Sequence, residues 1–129
     1  MDRKILVEDL NDGKRLVEAL DAANFEVKAA LWFYLTDADE WRLIIASPYE
    51  EKNGPKKAYS FIQRELGKLS PPIKISLKDI SVLGPNHKLI NLLRGAITTG
   101  LKISDIRFTR NVINNVLIED AYIYRMLKN

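Results

Sequence analysis

The sequence predicts an α+β domain with a mainly antiparallel sheet, and three observations lead to this fold class. Apolar residues recur at helical spacing in three segments, stretches rich in aliphatic and aromatic residues lie between them, and two pairs of strands are joined by short polar turns. Strands joined by short turns run antiparallel, and amphipathic helices bury their apolar stripe on such a sheet. We expect a single two-layer α+β domain over residues 1–129, in the order αββαβαββ, with two β-hairpins and three helices.

The first half of the chain predicts a helix and then a hairpin. Residues 9–24 show leucine, valine and alanine at helical spacing, although Gly13 weakens the first turn by about 1 kcal/mol relative to alanine. Residues 26–35 are typical of a strand. A loop of about five polar residues, 36–40, then leads into a second strand over residues 41–47.

The middle of the chain predicts two further helices around a short strand. Pro48 ends the first hairpin because proline cannot donate a hydrogen bond to a neighbouring strand, and Gly54 and Pro55 mark the start of the next helix. A short strand is expected at residues 80–83, and a third helix from about residue 87 to residue 98.

The C-terminal part predicts a second hairpin. Strands over residues 106–113 and 116–126 flank Asn114-Asn115, and asparagine tolerates the positive φ that a two-residue primed turn requires. This turn sets Arg110 opposite Glu119, where the two can pair. The hairpin face expected on the core consists of Ile106, Phe108, Val112, Leu117, Ala121 and Ile123.

Composition excludes several kinds of site. The chain has no cysteine and a single histidine, His87, which excludes disulfides, thiolate nucleophiles and metal sites built on several cysteines or imidazoles. No nucleophile elbow, dinucleotide fingerprint or kinase signature is present. We therefore expect a binding protein without cofactor or metal, although an enzyme with a carboxylate-based site stays an alternative. The candidate carboxylates are Asp37, Asp39, Glu40, Glu119 and Asp120.

The length of the apolar runs and the first residues of the sequence predict where in the cell the protein is found. No apolar run approaches the ~20 residues of a membrane-spanning helix. The first residues lack the apolar stretch and cleavage site of a signal peptide, so we expect a cytoplasmic protein with no membrane partner.

Charge and aromatic residues suggest where a partner would bind. Residues 1–51 carry 12 acidic and 6 basic side chains, whereas residues 52–129 carry 5 acidic and 14 basic ones. If the sheet face away from the core stays open, it presents aromatic rings beside arginines, a combination used by proteins that bind single strands. The candidate binding residues are Trp32, Tyr34, Arg42, Arg107, Asp120, Tyr122 and Tyr124.

Three interpretations of this face remain open. The first is a homodimer, or a complex with another protein, that uses the aromatic side of the sheet. The second is a single-stranded nucleic acid lying across it, and the third is a helix that simply buries it. The short αββαβαββ chain, with Trp-Arg-Leu-Ile-Ile-Ala-Ser in one strand and Glu-Asp-Ala-Tyr-Ile-Tyr-Arg in the last, is similar to small bacterial proteins, a resemblance that implies no activity.

Overall fold

The computed structural model describes residues 4–128 and contains a five-stranded sheet with helices packed against it. In chain order the elements are α1 (Val7–Ala22), β1 (Ala29–Leu35), β2 (Glu40–Ala46), α2 (Pro48–Asn53), α3 (Pro55–Lys68), a 3₁₀ turn (Leu77–Asp79), β3 (Ile80–Leu83), α4 (Lys88–Arg94), β4 (Ile106–Ile113) and β5 (Val116–Met126). The strands follow one another across the sheet as β3-β2-β1-β5-β4. All neighbours are antiparallel except β2 and β3, so the predicted α+β class with a mainly antiparallel sheet is confirmed.

Helices cover both faces of the sheet. On one face, apolar residues of α1 and α3 form the larger core cluster with Ala30, Leu43 and Ile45. On the other face, Ile90 and Leu93 of the short α4 pack in a second cluster that includes β1, β2 and β5. The two main layers are therefore the sheet and the α1–α3 pair, and α4 adds cover on the opposite side.

Two helical segments differ from the predictions. Pro48 ends the first hairpin as expected, but it also begins the six-residue α2, because Ser47 caps the helix by accepting a hydrogen bond from the Tyr49 N–H at 3.1 Å. The third predicted helix is shorter than expected and ends at Arg94, whose guanidinium binds the Leu127 carbonyl oxygen.

The first hairpin has a turn one residue shorter than predicted, and this changes which side chains share a face. Leu35 pairs with Glu40, so Trp32 lies opposite Leu43, and Arg42 lies opposite Phe33. Because side chains alternate along a strand, a shift of one residue exchanges the two faces of β2. The expectation that Arg42 would lie beside Trp32 and Tyr34 is therefore wrong.

The second hairpin has the predicted register, with Ile113 opposite Val116 and Ile106 opposite Ile123. The expectation that Val112 and Leu117 would face the core is wrong, since they are 66% and 57% exposed. The backbone of Arg110 has a φ of 47°, which interrupts the alternation of the strand. Beyond that point the core-facing residues are Ile113 and Ile118 instead.

Candidate functional site

Six of the seven candidate binding residues share one face of the sheet. Trp32 lies opposite Tyr122, and Tyr122 lies opposite Arg107, so the three occupy one row across β1, β5 and β4. Tyr34, Tyr124 and Asp120 lie two residues along the strands from members of this row, on the same side. The seventh, Arg42, is on the opposite face, where it donates hydrogen bonds to the Ser81 Oγ at 2.8 Å and the Ile80 carbonyl oxygen at 3.0 Å.

The centre of this face is covered by α1. The Trp32 indole N–H donates to the Tyr124 hydroxyl at 3.1 Å, and that hydroxyl donates to the Leu10 carbonyl oxygen of α1 at 2.6 Å. Both rings are at most 4% exposed, and burial raises the pKa of the Tyr124 hydroxyl well above its usual value. Of the three interpretations of this face, burial by a helix therefore holds for Trp32 and Tyr124, because both rings pack under α1.

The margin of the face toward the first turn stays partly open. Arg107 lies over the Trp41 ring, with its guanidinium carbon 5.8 Å from the ring centre. The same guanidinium binds both carboxylate oxygens of Asp120, each at 2.6 Å, and these hydrogen bonds raise the pKa of Arg107 further. Tyr34 is buried and donates its hydroxyl to an Asp39 oxygen at 2.5 Å. The arginine and the tyrosine proposed for binding thus already have partners within the chain.

Trp41 belongs to this margin but was not among the predicted site residues. It pairs with Tyr34 across the first hairpin, with ring centres 5.4 Å apart. The predicted five-residue loop placed it on the other face. A four-residue turn would have brought it to this side, and the sequence signal for such a turn was the cross-strand match of aromatic Trp41 with aromatic Tyr34.

A cavity of about 330 Å³ opens beside Trp41. Four segments meet around it: the chain before α1, the start of α1, the first hairpin and the segment before the 3₁₀ turn. Both tryptophans of the protein contribute to its wall. The residues lining it are Lys4, Leu6, Asp9, Trp32, Glu40, Trp41, Lys74, Ile75 and Asp79.

The distal part of the second hairpin, residues 110–119, carries mostly exposed side chains apart from the core-facing Ile113 and Ile118, and we term it the arm. Its turn has Asn114 and Asn115 at φ values of 47° and 66°, the primed turn that the sequence predicts. Val112 and Leu117 pair across the strands on one face of the arm, and Val116, beside the turn, is 46% exposed. Charge is balanced here, because Arg110 and Glu119 lie 3.3 Å apart.

Four of the five candidate carboxylates, Asp39, Glu40, Glu119 and Asp120, have structural partners, and so does the single histidine. Asp120 binds Arg107, and Glu119 binds Arg110, as predicted for that pair. His87 caps α4 by accepting the Leu89 N–H at Nδ1, 3.1 Å away. Within residues 4–128, no group of three or more histidine, aspartate or glutamate side chains is arranged to hold a metal ion.

Comparisons with known proteins do not identify a function. No family model, curated protein or solved structure matches this chain. Among the helices described, none is long and apolar enough to cross a membrane. A function therefore has to be argued from the geometry of the arm and the cavity.

Proposed function

We propose that this chain is a binding protein that acts without turnover and self-associates through the arm. The observation that carries this proposal is the clustering of exposed apolar side chains. Six large apolar residues are exposed in the part of the chain that the structure describes, and three of them, Val112, Val116 and Leu117, lie in the arm. Val112 and Leu117 are a cross-strand pair on one face, whereas Val116 lies opposite Ile113 on the other. Contiguous exposed apolar surface on a folded domain is typical of an interaction site.

Charge favours a second copy of the chain as the partner. The arm carries one positive and one negative side chain, Arg110 and Glu119, which flank the Val112–Leu117 pair. Two such arms related by a two-fold axis place apolar surface on apolar surface without net repulsion, and each Arg110 can approach the Glu119 of the other copy. A strongly charged partner would find no complementary charge here.

The contact is expected to use the face of the arm and not its edge. β4 is the edge strand of the sheet, and it carries Arg107 and Arg110, with the positive φ at Arg110 distorting the strand. Charges and distortions of this kind oppose edge-to-edge pairing of strands. A face-to-face contact closes on itself and gives a dimer in place of an open fibre.

Energetics predict a weak dimer. A fully buried valine or leucine contributes about 1.5–3 kcal/mol, so the partly exposed apolar side chains of two arms contribute roughly 5–10 kcal/mol. Association itself costs an estimated 4–15 kcal/mol. The most favourable balance of these two terms is about −6 kcal/mol, so we expect a dissociation constant between roughly 40 µM and the low millimolar range, as for a transient assembly.

Sedimentation equilibrium over this concentration range tests the proposal. Wild-type protein should show a monomer–dimer equilibrium, and the Val112→Ser/Leu117→Ser variant should remain monomeric. Leu101→Ser is the matched control, because Leu101 is 70% exposed but lies outside the arm, and it should leave the equilibrium unchanged. The proposal would be contradicted if the wild-type protein is monomeric at every concentration, or if Leu101→Ser reduces the amount of dimer as much as Val112→Ser/Leu117→Ser does.

Single-stranded nucleic acid remains the alternative partner. The excess of nine basic over acidic side chains in residues 52–129 supports it. The burial of Trp32, Tyr34 and Tyr124 weighs against stacking on those rings. Saturable binding of a fluorescent single-stranded oligonucleotide at low salt, weakened by added salt and by Arg107→Ala, would favour this alternative.

A cytoplasmic location also belongs to the proposal, and cell fractionation tests it.

A further inference from the structure

The cavity beside Trp41 has the size and the walls of a small-ligand site. Its volume of about 330 Å³ lies within the range of roughly 300–1,000 Å³ found for ligand pockets. Trp41 and the small exposed part of Trp32 supply aromatic wall, and Leu6 and Ile75 supply aliphatic wall. The cavity lies outside the arm, so its use is independent of self-association.

Negative charge predominates in the lining. Three carboxylates, those of Asp9, Glu40 and Asp79, face two ammonium groups, those of Lys4 and Lys74. The Lys74 ammonium lies 2.8 Å from a Glu8 carboxylate oxygen, a contact that raises the pKa of the lysine and engages its charge. Glu40 likewise lies 3.6 Å from Arg42, so the groups of the lining without an opposite charge are Asp9 and Asp79 against Lys4. This excess of one carboxylate favours a positively charged ligand.

Local backbone contacts hold two of these carboxylates in position. One oxygen of Asp9 accepts the Leu6 N–H at 3.2 Å, and one oxygen of Asp79 accepts the Ser76 N–H at 3.0 Å. Carboxylates fixed in this way are preorganised, because they lose little side-chain freedom when a ligand binds.

The aromatic wall favours an organic cation over other charged ligands. The carboxylates of the described chain do not assemble into a metal-binding group. The Trp32 indole N–H already donates to Tyr124 and the ring is 4% exposed, so Trp32 offers no donor for an anion and adds only a small area to the wall. Trp41 already attracts the Arg107 guanidinium, which shows that its ring can interact with a cation in this setting.

We propose that this cavity binds a small organic cation of the ammonium type, held by Trp41 and by the carboxylates of Asp9, Glu40 and Asp79. The ammonium group can belong to a free amine or to a modified lysine side chain of a peptide. Both sources share the same chemistry, a compact alkylated cation that is attracted by the Trp41 ring and by the surrounding negative charge.

Intrinsic fluorescence provides a direct test, because both tryptophans of the protein line the cavity. Full-length protein is titrated with choline, with a short peptide containing trimethyllysine, and with dimethylbutanol, the uncharged carbon isostere of choline. We expect saturable binding of a cationic probe, with the neutral isostere at least about tenfold weaker. The tighter of the two cationic probes identifies the source of the ligand.

Variants separate the aromatic from the electrostatic contribution. Trp41→Leu should weaken cation binding by roughly three- to thirtyfold, and Trp41→Phe by less, with Trp32 as the remaining reporter. Glu40→Gln should weaken binding about two- to threefold, and more at low salt. Glu40 is partly exposed and lies 3.6 Å from Arg42, so this change should leave the fold intact.

The matched control is Glu18→Gln, which removes the same charge from an exposed position of α1 outside the cavity and should leave binding unchanged. The proposal is overturned if neither cation saturates, if the neutral isostere binds as tightly as choline, or if Glu40→Gln and Glu18→Gln behave alike. None of these outcomes bears on the arm, whose variants are read by sedimentation.

Discussion

Gly13 in α1 lies so close to the Trp32–Tyr124 pair that a β-carbon at position 13 would overlap the Tyr124 hydroxyl oxygen and lie only 2.9 Å from the Trp32 indole nitrogen. Glycine is a poor helix former, and its presence in the first half of α1 is explained by this approach. The absence of a side chain allows α1 to seat on the hydrogen-bonded Trp32–Tyr124 pair, which closes the centre of the aromatic face.

Gly13→Ala should therefore destabilise the protein, although alanine is the better helix former by about 1 kcal/mol. The buried hydroxyl cannot move without breaking its hydrogen bonds to Trp32 and Leu10, so we expect a net loss of about 1–3 kcal/mol. Equilibrium unfolding in urea measures the change.

The control for this substitution is Gly67→Ala in α3. A β-carbon at position 67 meets no atom within 4 Å, so helix propensity alone should act there. We expect Gly67→Ala to stabilise the protein by about 0.5–1 kcal/mol. If both alanine variants stabilise the fold, the close approach at Gly13 does not constrain the helix.

Local patterns were sufficient to predict much of this fold. Helical spacing identified α1 and α3, and the asparagine pair identified both the turn of the second hairpin and its register. These features depend on residues close in sequence. The position of Gly13 could be recognised as a weak point of a helix, but its reason lies in Tyr124, which is distant in sequence.

The candidate site was harder to predict, because it depends on one-residue shifts and on tertiary packing. The turn after Leu35 is shorter by one residue than expected, and this alone moved Arg42 off the aromatic face and Trp41 onto it. The positive φ of Arg110 had a similar effect on Val112 and Leu117. No periodicity in the sequence indicates that α1 covers Trp32.

An ion pair between the buried Arg125 and the partly exposed Asp21 is expected to couple α1 to the last strand. Arg125 is 4% exposed, and its guanidinium binds both oxygens of Asp21 at 2.8 and 2.9 Å and also the Val27 carbonyl oxygen. Removal of one partner from a buried pair leaves an uncompensated charge. A double-mutant cycle with Asp21→Ala and Arg125→Met should give a coupling energy of about 2–3 kcal/mol.

The exposed pair Arg107–Asp120 is the comparison for this cycle. It has the same two-point geometry, but the arginine side chain is 49% exposed. Its coupling energy should be below about 1 kcal/mol and should fall with added salt. Equal coupling energies for the two pairs would show that burial does not decide the strength of the Asp21–Arg125 contact.

The turn of the arm should respond to substitutions at Asn115. Its φ of 66° is a conformation that glycine adopts freely and that most other residues avoid. Asn115→Ala should cost about 1 kcal/mol, whereas Asn115→Gly should preserve or increase stability. Hydrogen exchange of the arm amides measures this locally. The prediction fails if the arm amides exchange as slowly in Asn115→Ala as they do in Asn115→Gly.

Alkaline pH should reduce the stability that the buried Tyr124 hydroxyl gives the fold. Burial raises the pKa of the Tyr124 hydroxyl above its ordinary value of about 10, so the folded protein holds this proton more tightly than the unfolded chain does. The resulting stabilisation is fully present below about pH 10 and is lost above it, by up to about 1.4 kcal/mol per pH unit. Urea unfolding of the wild type at a series of pH values measures this slope.

Tyr124→Phe provides the comparison that assigns the slope to this hydroxyl. The variant loses the hydrogen bonds to Trp32 and Leu10, so it should be less stable at neutral pH by about 1–3 kcal/mol. Above pH ~10 its stability should fall less steeply than that of the wild type, since the group that must ionise is absent. Phenolate absorbance gives a second reading, because the folded variant and wild type should titrate alike near pH ~10. Two outcomes would show that Tyr124 ionises as an ordinary tyrosine. In the first, the stability of the wild type and of Tyr124→Phe falls in parallel above pH ~10. In the second, the folded wild type shows a phenolate absorbance step near pH ~10 that Tyr124→Phe lacks.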